Sequence, residues 1–142
     1  MSTLDIIARG GKRAYPPRRS EVTARFWDAL AEGQFLSTRC DACHKLTFPP
    51  KSFCPHCWHQ AVTWIDVPKT GTVYSSTTVH IAPAIFAQEA PYDVCIIDLD
   101  VGLRIATRLI RSNEEPVPIG AQAELVVLCY EDGPLFAARA MT

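Results

Sequence analysis

The sequence predicts a mostly β protein with a short N-terminal helix, a small cysteine-bearing ribbon and then a five-stranded, partly open barrel. Three observations carry this. Residues 21–32 place apolar side chains at helical spacing between a capping serine and a stopping glycine. Two C-x-x-C pairs follow, at Cys40/Cys43 and Cys54/Cys57. From Val62 onward, short runs rich in β-branched and aromatic residues recur with turn residues between them.

A chain of 142 residues can bury one modest core, or one compact domain with a small appendage. With 48% hydrophobic and 20% charged residues, wholesale disorder is excluded. No apolar run reaches the roughly 18 residues that a membrane span needs, and the N-terminus lacks the apolar core of a signal peptide. The expected location is the cytoplasm, with no membrane association. In that reducing setting six cysteines are read first for metal and then for redox chemistry, ahead of disulfides. The net charge of −1 hides an asymmetry, because residues 1–25 carry +4 and the remainder −5. An acidic body argues against a surface built for a phosphate backbone.

Residues 1–19, with Gly10-Gly11 and Pro16-Pro17 among basic side chains, read as a flexible basic arm. Ser20 is placed as the N-cap of a helix whose stripe is Val22, Phe26, Ala29 and Leu30. Trp27 lies off the centre of that stripe and is expected to face a partner, with Phe26 and Leu30 facing the chain's own core. Short strands at 34–39 and 45–48 flank the first cysteine pair, and a strand at 62–67 ends the ribbon module, residues 20–66. Strands at 72–81, 94–99, 103–110, 123–130 and 135–140 make the barrel, residues 67–142. Asp100-Val101-Gly102 and Asp132-Gly133-Pro134 supply hairpin turns.

In CDACHKLTFPPKSFCPHC each pair forms a turn whose two sulfurs can point at one ion, and the ten residues between bring the second turn opposite the first. Four thiolates complete a tetrahedron and leave no position for water, which makes a structural zinc site. Iron on the same sulfurs is the main metal alternative. His44, His56 and His59 are read as solvated turn residues, and Cys95 and Cys129, inside apolar strand patterns, as core. No glycine-rich phosphate loop or nucleophile elbow is present. Asp98, Asp100 and His80 have ordinary readings at strand ends. The segment 82–91, carrying Ile85 and Phe86, is too apolar for an idle loop; it either folds over a barrel mouth or meets a partner or an acyl chain.

The order of these parts, with the helix F-W-x-A-L-x-x-G, the cysteine quartet followed by Trp64, GTVYSSTTVH opening the barrel and IGAQAELVV near its end, resembles a known family. It is the zinc-ribbon OB-fold family first catalogued as domain of unknown function thirty-five, often encoded beside thiolases. The resemblance covers about residues 20–140 and leaves the arm outside. It implies a rubredoxin-like zinc ribbon before a five-stranded OB-fold barrel, with Cys40, Cys43, Cys54 and Cys57 as the zinc ligands. It also implies a non-catalytic accessory subunit of a thiolase-like enzyme. Ribbon and helix would dock on that enzyme, and the barrel would border a coenzyme A thioester site. The reading from a different class is a single-stranded nucleic-acid-binding module, since ribbons and OB-folds both recur in that work.

Overall fold

The computed structural model describes residues 3–141; Met1 and Ser2 of the expected arm and Thr142 of the expected barrel lie outside the described residues. The helix α1 spans Glu21–Ala31. Ser20 accepts from the Thr23 amide at 3.2 Å while the Thr23 hydroxyl accepts from the Ser20 amide at 2.8 Å, a reciprocal cap that fixes the first turn. Phe26 and Leu30 are buried, as the stripe requires.

The ribbon is a three-stranded antiparallel sheet of β2 (Leu36–Cys40), β3 (Leu46–Thr47) and β4 (Val62–Asp66), with β2 central. Two of its buried hydroxyls are satisfied: Ser37 donates to the Thr47 carbonyl, and the Lys51 amide donates to Thr38. The barrel strands are β5 (Thr70–Val79), β6 (Tyr92–Leu99), β7 (Arg104–Ile110), β8 (Gln122–Tyr130) and β9 (Gly133–Ala140). They pair in the cyclic order β5-β6-β7-β9-β8-β5, which closes the sheet on itself. Gly71, in the Gly-Thr-Val-Tyr run, is required by closeness: a Cβ there would sit 2.3 Å from the Asp98 carbonyl oxygen on β6.

One core joins the two parts. Val73, Ile97, Leu99, Ile105, Leu109, Leu125 and Val127 fill the barrel, and the same cluster runs on through Phe26, Leu30 and Phe35. Phe48 of the ribbon and Phe136 of β9 meet there, with ring centroids 5.7 Å apart and edge to face.

The arm departs from the expectation. It is extended, but it is docked. Strand β1 (Ile6–Ala8) runs parallel to β8 with Ile6 opposite Val127 and Ala8 opposite Cys129. The physical reason is a gap. β5 pairs with β8 only over Gln122–Glu124, and beyond that point β8 would present an open edge. The arm fills this edge, with the Val127 amide donating to Asp5 and the Arg9 amide to Cys129. Leu4 enters the core at 2% exposure. Arg139 bridges Asp5 at 2.7 Å and Glu124 at 2.6 Å. Arg13 clamps the β8–β9 turn, donating to the carbonyls of Asp132 at 2.6 Å and Pro134 at 3.2 Å. The segment expected as loop over 82–91 holds a 3-10 turn, Ala84–Glu89. Among the described residues, no helix is long and apolar enough to cross a membrane.

Candidate functional site

Both cysteine pairs sit in the same local turn. The His44 amide donates to the Cys40 carbonyl at 3.0 Å and the Cys40 amide to Lys45; the Trp58 amide donates to the Cys54 carbonyl at 2.8 Å and the Cys54 amide to His59. Each turn needs one residue with positive φ just after its second cysteine, and these are His44 (φ 63) and Trp58 (φ 66). The two knuckles are therefore near copies of one another, facing across a shared centre.

Four sulfurs meet at that centre, all within 4.8 Å of one another. Cys40 and Cys57 stand 3.5 Å apart, Cys43 and Cys54 3.6 Å. A tetrahedron with metal–sulfur bonds of about 2.3 Å has edges of about 3.8 Å, so the quartet fits a zinc ion. The amides of Ala42 and Cys43 point at the Cys40 sulfur and that of His56 at the Cys54 sulfur, each at 3.3 Å. Hydrogen bonding from Cys43, opposed by burial and helped by Ala42, draws the Cys40 thiol down to about 6. Burial works against ionisation of Cys54, but the amides of Cys57 and His56 outweigh it and its pKa is lowered. Cys57 goes the other way, up to about 11: a backbone hydrogen bond from His59 favours its thiolate, while the Cys40 sulfur and burial keep it protonated. Zinc binding must therefore expel protons from the quartet.

The remaining sequence candidates fall elsewhere. Cys95 is buried, and burial pushes its thiol up to about 11, which leaves it inert. Cys129 is exposed, not core as expected. The cause is that β8 buries Val126 and Leu128 as well as Leu125 and Val127, so its alternation does not show which face Cys129 takes. His44, His56 and His59 are exposed. Asp98 is held low by the Arg104 guanidinium, which bonds it at 2.9 and 3.1 Å and so keeps it from acid–base work, and Asp100 accepts from Thr70 at 2.9 Å. Trp27 is half-buried, edge to face with Phe26 at 4.9 Å and stacked with Phe136 at 6.5 Å. Ile85 is 49% exposed, and Phe86 lies 5.5 Å from the Arg108 guanidinium.

Two features escaped the sequence reading. Phe53 and Trp58 stack within 7° of parallel at the tip of the ribbon, and Trp58 is 71% exposed. Its position just after Cys57 was the available signal. The other is a cleft of about 480 Å³ between the arm, the 3-10 turn and the outer face of β7, β8 and β9. No local motif announces it.

Residues 27–63 match the family described as ChsH2, rubredoxin-like zinc ribbon domain, and residues 64–128 that described as ChsH2, C-terminal OB-fold domain. A DUF35 domain-containing scaffold protein of Methanocaldococcus jannaschii is 34% identical over 110 residues, which cover 76% of this chain and 78% of the relative. The chain belongs to the DUF35 family. The quartet is accordingly the family's zinc-ribbon site and the barrel its OB-fold. The benzoylsuccinyl-CoA thiolase subunit BbsA of Thauera aromatica, another relative of this DUF35 chain, is 35% identical over 100 residues, covering 66% of this chain and 68% of BbsA. A probable enoyl-CoA hydratase alpha subunit of Thermomonospora curvata is 34% identical over 96 residues, which cover 67% of this chain but only 30% of that subunit. Among solved structures, a chain of the Ltp2-ChsH2(DUF35) aldolase superposes with a TM-score of 0.75 at 29% identity, covering 88% of this chain and 98% of that one.

Proposed function

We propose that this chain is a non-catalytic accessory subunit that docks on a thiolase-like acyl-CoA enzyme in the cytoplasm and helps organise that enzyme's coenzyme A thioester site. The observation that carries the reading is the set of relatives matched over most of their length, a scaffold protein at 78% and a thiolase subunit at 68%. The chemistry supports it. A closed four-sulfur site offers no Lewis acid, Cys95 is held protonated, and the strand carboxylates Asp93 and Asp98 are spent on arginines. The hydratase relative is matched over too little of its length for its activity to carry over.

For docking, the ribbon tip joins Trp27, Ile85 and Phe86 as proposed contact residues. Glycine would take the left-handed conformation at position 58 freely, whereas a bulky residue there costs about 1 to 2 kcal/mol. A tryptophan at that position, 71% exposed, suits a side chain that is covered in a complex.

The test is capture of partners from native extract with the zinc-loaded chain, identification of the captured protein, and reconstitution from purified components. A thiolase-like enzyme is expected, with Trp58→Ala weakening the complex by about 2 kcal/mol or more. Recovery of nucleic acid without such an enzyme, or acyl transfer by the pure chain that disappears on Cys95→Ser, overturns the reading.

A further inference from the structure

A second hydrophobic cluster lies outside the barrel. On β8, Ala123, Leu125 and Val127 face the barrel core, and Val126 and Leu128 point the opposite way, yet those two are 0% and 4% exposed. Ile7 of the arm, Ala137 and Leu135 of β9 and Ile110 of β7 pack over them. The cover stops short. Where the arm turns away from β8 the cluster opens into the cleft of about 480 Å³, whose floor includes Ile110, Leu128 and Leu135. Ala14 and Tyr15 of the arm form one wall, and Phe86 of the 3-10 turn another. This volume lies within the range of small-molecule sites, which combine apolar walls with a few convergent polar groups.

The rim supplies those groups. Arg9 stands at the mouth, and Lys12 lines an adjoining hollow that shares Arg9, Ala14 and Glu89 with the cleft. Neither Arg9 nor Lys12 is paired with a carboxylate among the described residues. Arg108 also reaches the cleft, but it is committed to Glu89 at 3.3 Å and lies over the Tyr92 ring at 3.6 Å, so it serves as wall more than as anion receptor. An apolar floor under a basic rim matches a ligand with an apolar body and an anionic end.

The geometry points to the arm–barrel cleft as a binding site for a small amphipathic anion, its acyl or aryl body on the apolar floor and its carboxylate or phosphate held by Arg9 and Lys12. The arm supplies one wall and the basic rim, and it lies outside residues 27–128, which match the family. The site is therefore built from the arm together with the outer side of the barrel. It deepens the acyl-CoA part of the proposed function and rests on that reading for the choice of an acyl chain.

Calorimetric titration of the zinc-loaded full chain with octanoyl-CoA, octanoate and free coenzyme A tests it. Octanoyl-CoA is expected to bind saturably, with Arg9→Glu weakening it by a factor of about ten or more and Ala14→Trp, which fills the wall, abolishing it. Thermal melts check that both variants remain folded. Binding of octanoate as tightly as octanoyl-CoA supports the site with a free acid as ligand, and binding of octanoyl-CoA alone supports it with a thioester. Free coenzyme A binding as well as octanoyl-CoA overturns the proposal, because the floor is then not being read. Absence of saturable binding by either octanoyl compound, or wild-type affinity in both variants, overturns it as well. Partner capture is measured on the same variants. Failure of octanoyl-CoA binding with capture intact falls on the cleft alone, and loss of capture with binding intact falls on the docking role.

Discussion

The tip of the ribbon and the body of the barrel lie in one chain but are held together by different forces. Between Asp41 and Ala61 the buried residues are Thr47, Pro50 and Cys54, which do not amount to a hydrophobic core. In the barrel, β8 alone buries the four consecutive residues Leu125 through Leu128 together with Ala123. The tip therefore depends on its metal for order, whereas the barrel depends on apolar area removed from water. The border between the two regimes does not fall at a linker. It falls at the aromatic cluster of Phe26, Phe35, Phe48 and Phe136, where the inner end of the ribbon is already part of the barrel's core.

Removing the metal is the strongest way to break this comparison. Structural zinc sites of this kind contribute roughly 10 to 16 kcal/mol at neutral pH, so chelation or Cys54→Ser should abolish amide protection over residues 40–60. Protection on β6, β7 and β8 should survive. Elemental analysis of the untreated chain should give about one zinc per chain. Collapse of barrel protection together with the tip would show that a single cooperative unit extends out to the knuckles.

The next effect in size tests the border. Phe26→Ala should lower stability by about 3 to 5 kcal/mol, and in hydrogen exchange it should loosen the barrel and the inner ribbon together, since Phe26 touches Phe48 and Phe136 at 5.5 and 6.0 Å. Trp27→Ala should cost less, because its ring is only partly buried. A larger loss from Trp27 than from Phe26 would relocate the border.

Those elements whose causes are local were legible in the sequence. Ser20, the two knuckles and the turn at Asp132-Gly133-Pro134 each write their conformation within a few residues, and the five barrel strands show β-branched runs between turns. The clustering of Cys40, Cys43, Cys54 and Cys57 was legible for the same reason. What stayed hidden depends on contacts between distant segments. Ile6–Ala8 is three residues long and pairs with β8 some 120 positions away, so no local period marks it as a strand. Cys129 was misplaced because β8 buries both of its faces. The cleft draws on the arm, the 3-10 turn and three barrel strands, an assembly that no single window of sequence contains.

The arm offers a third test, since it makes the barrel's closure depend on a segment far from the other strands. Leu4→Ala should cost roughly 2 to 5 kcal/mol, as for other buried leucines, and should expose the amides of Val127 and Glu131, which donate to the arm carbonyls of Asp5 and Gly11. The ribbon tip should be untouched and its zinc retained. Unchanged exchange at Val127 in Leu4→Ala would mean that the arm merely rests on β8.

The smallest expected effect separates the two regions by their response to acid. On the barrel, Arg111 chelates the Asp93 carboxylate, and the Thr78 hydroxyl donates to it at 2.6 Å. The Arg111 hydrogen bonds hold the Asp93 pKa below its usual value; burial opposes this, and Thr78 and the charges of Arg111 and His80 add to it. An aspartate in the unfolded chain titrates near about 3.9. The pair's contribution is therefore fully present above that value, and it is lost as pH falls from there through the lower folded pKa. With Arg111 still 30% exposed, solvent screening limits the contribution to about 1 kcal/mol. Asp93→Asn should thus lower the melting temperature by a few degrees near neutrality and flatten the acid limb below about pH 4, independently of zinc concentration. The ribbon's acid response must instead shift with free zinc, because protons and metal compete for the same sulfurs. Melts of wild type and Asp93→Asn over about pH 3 to 6, each at two zinc concentrations, resolve the two. If the difference between the proteins changes with zinc, then Asp93 and the knuckles are coupled through the aromatic cluster, and the separation of regimes argued for the ribbon tip and the barrel does not hold.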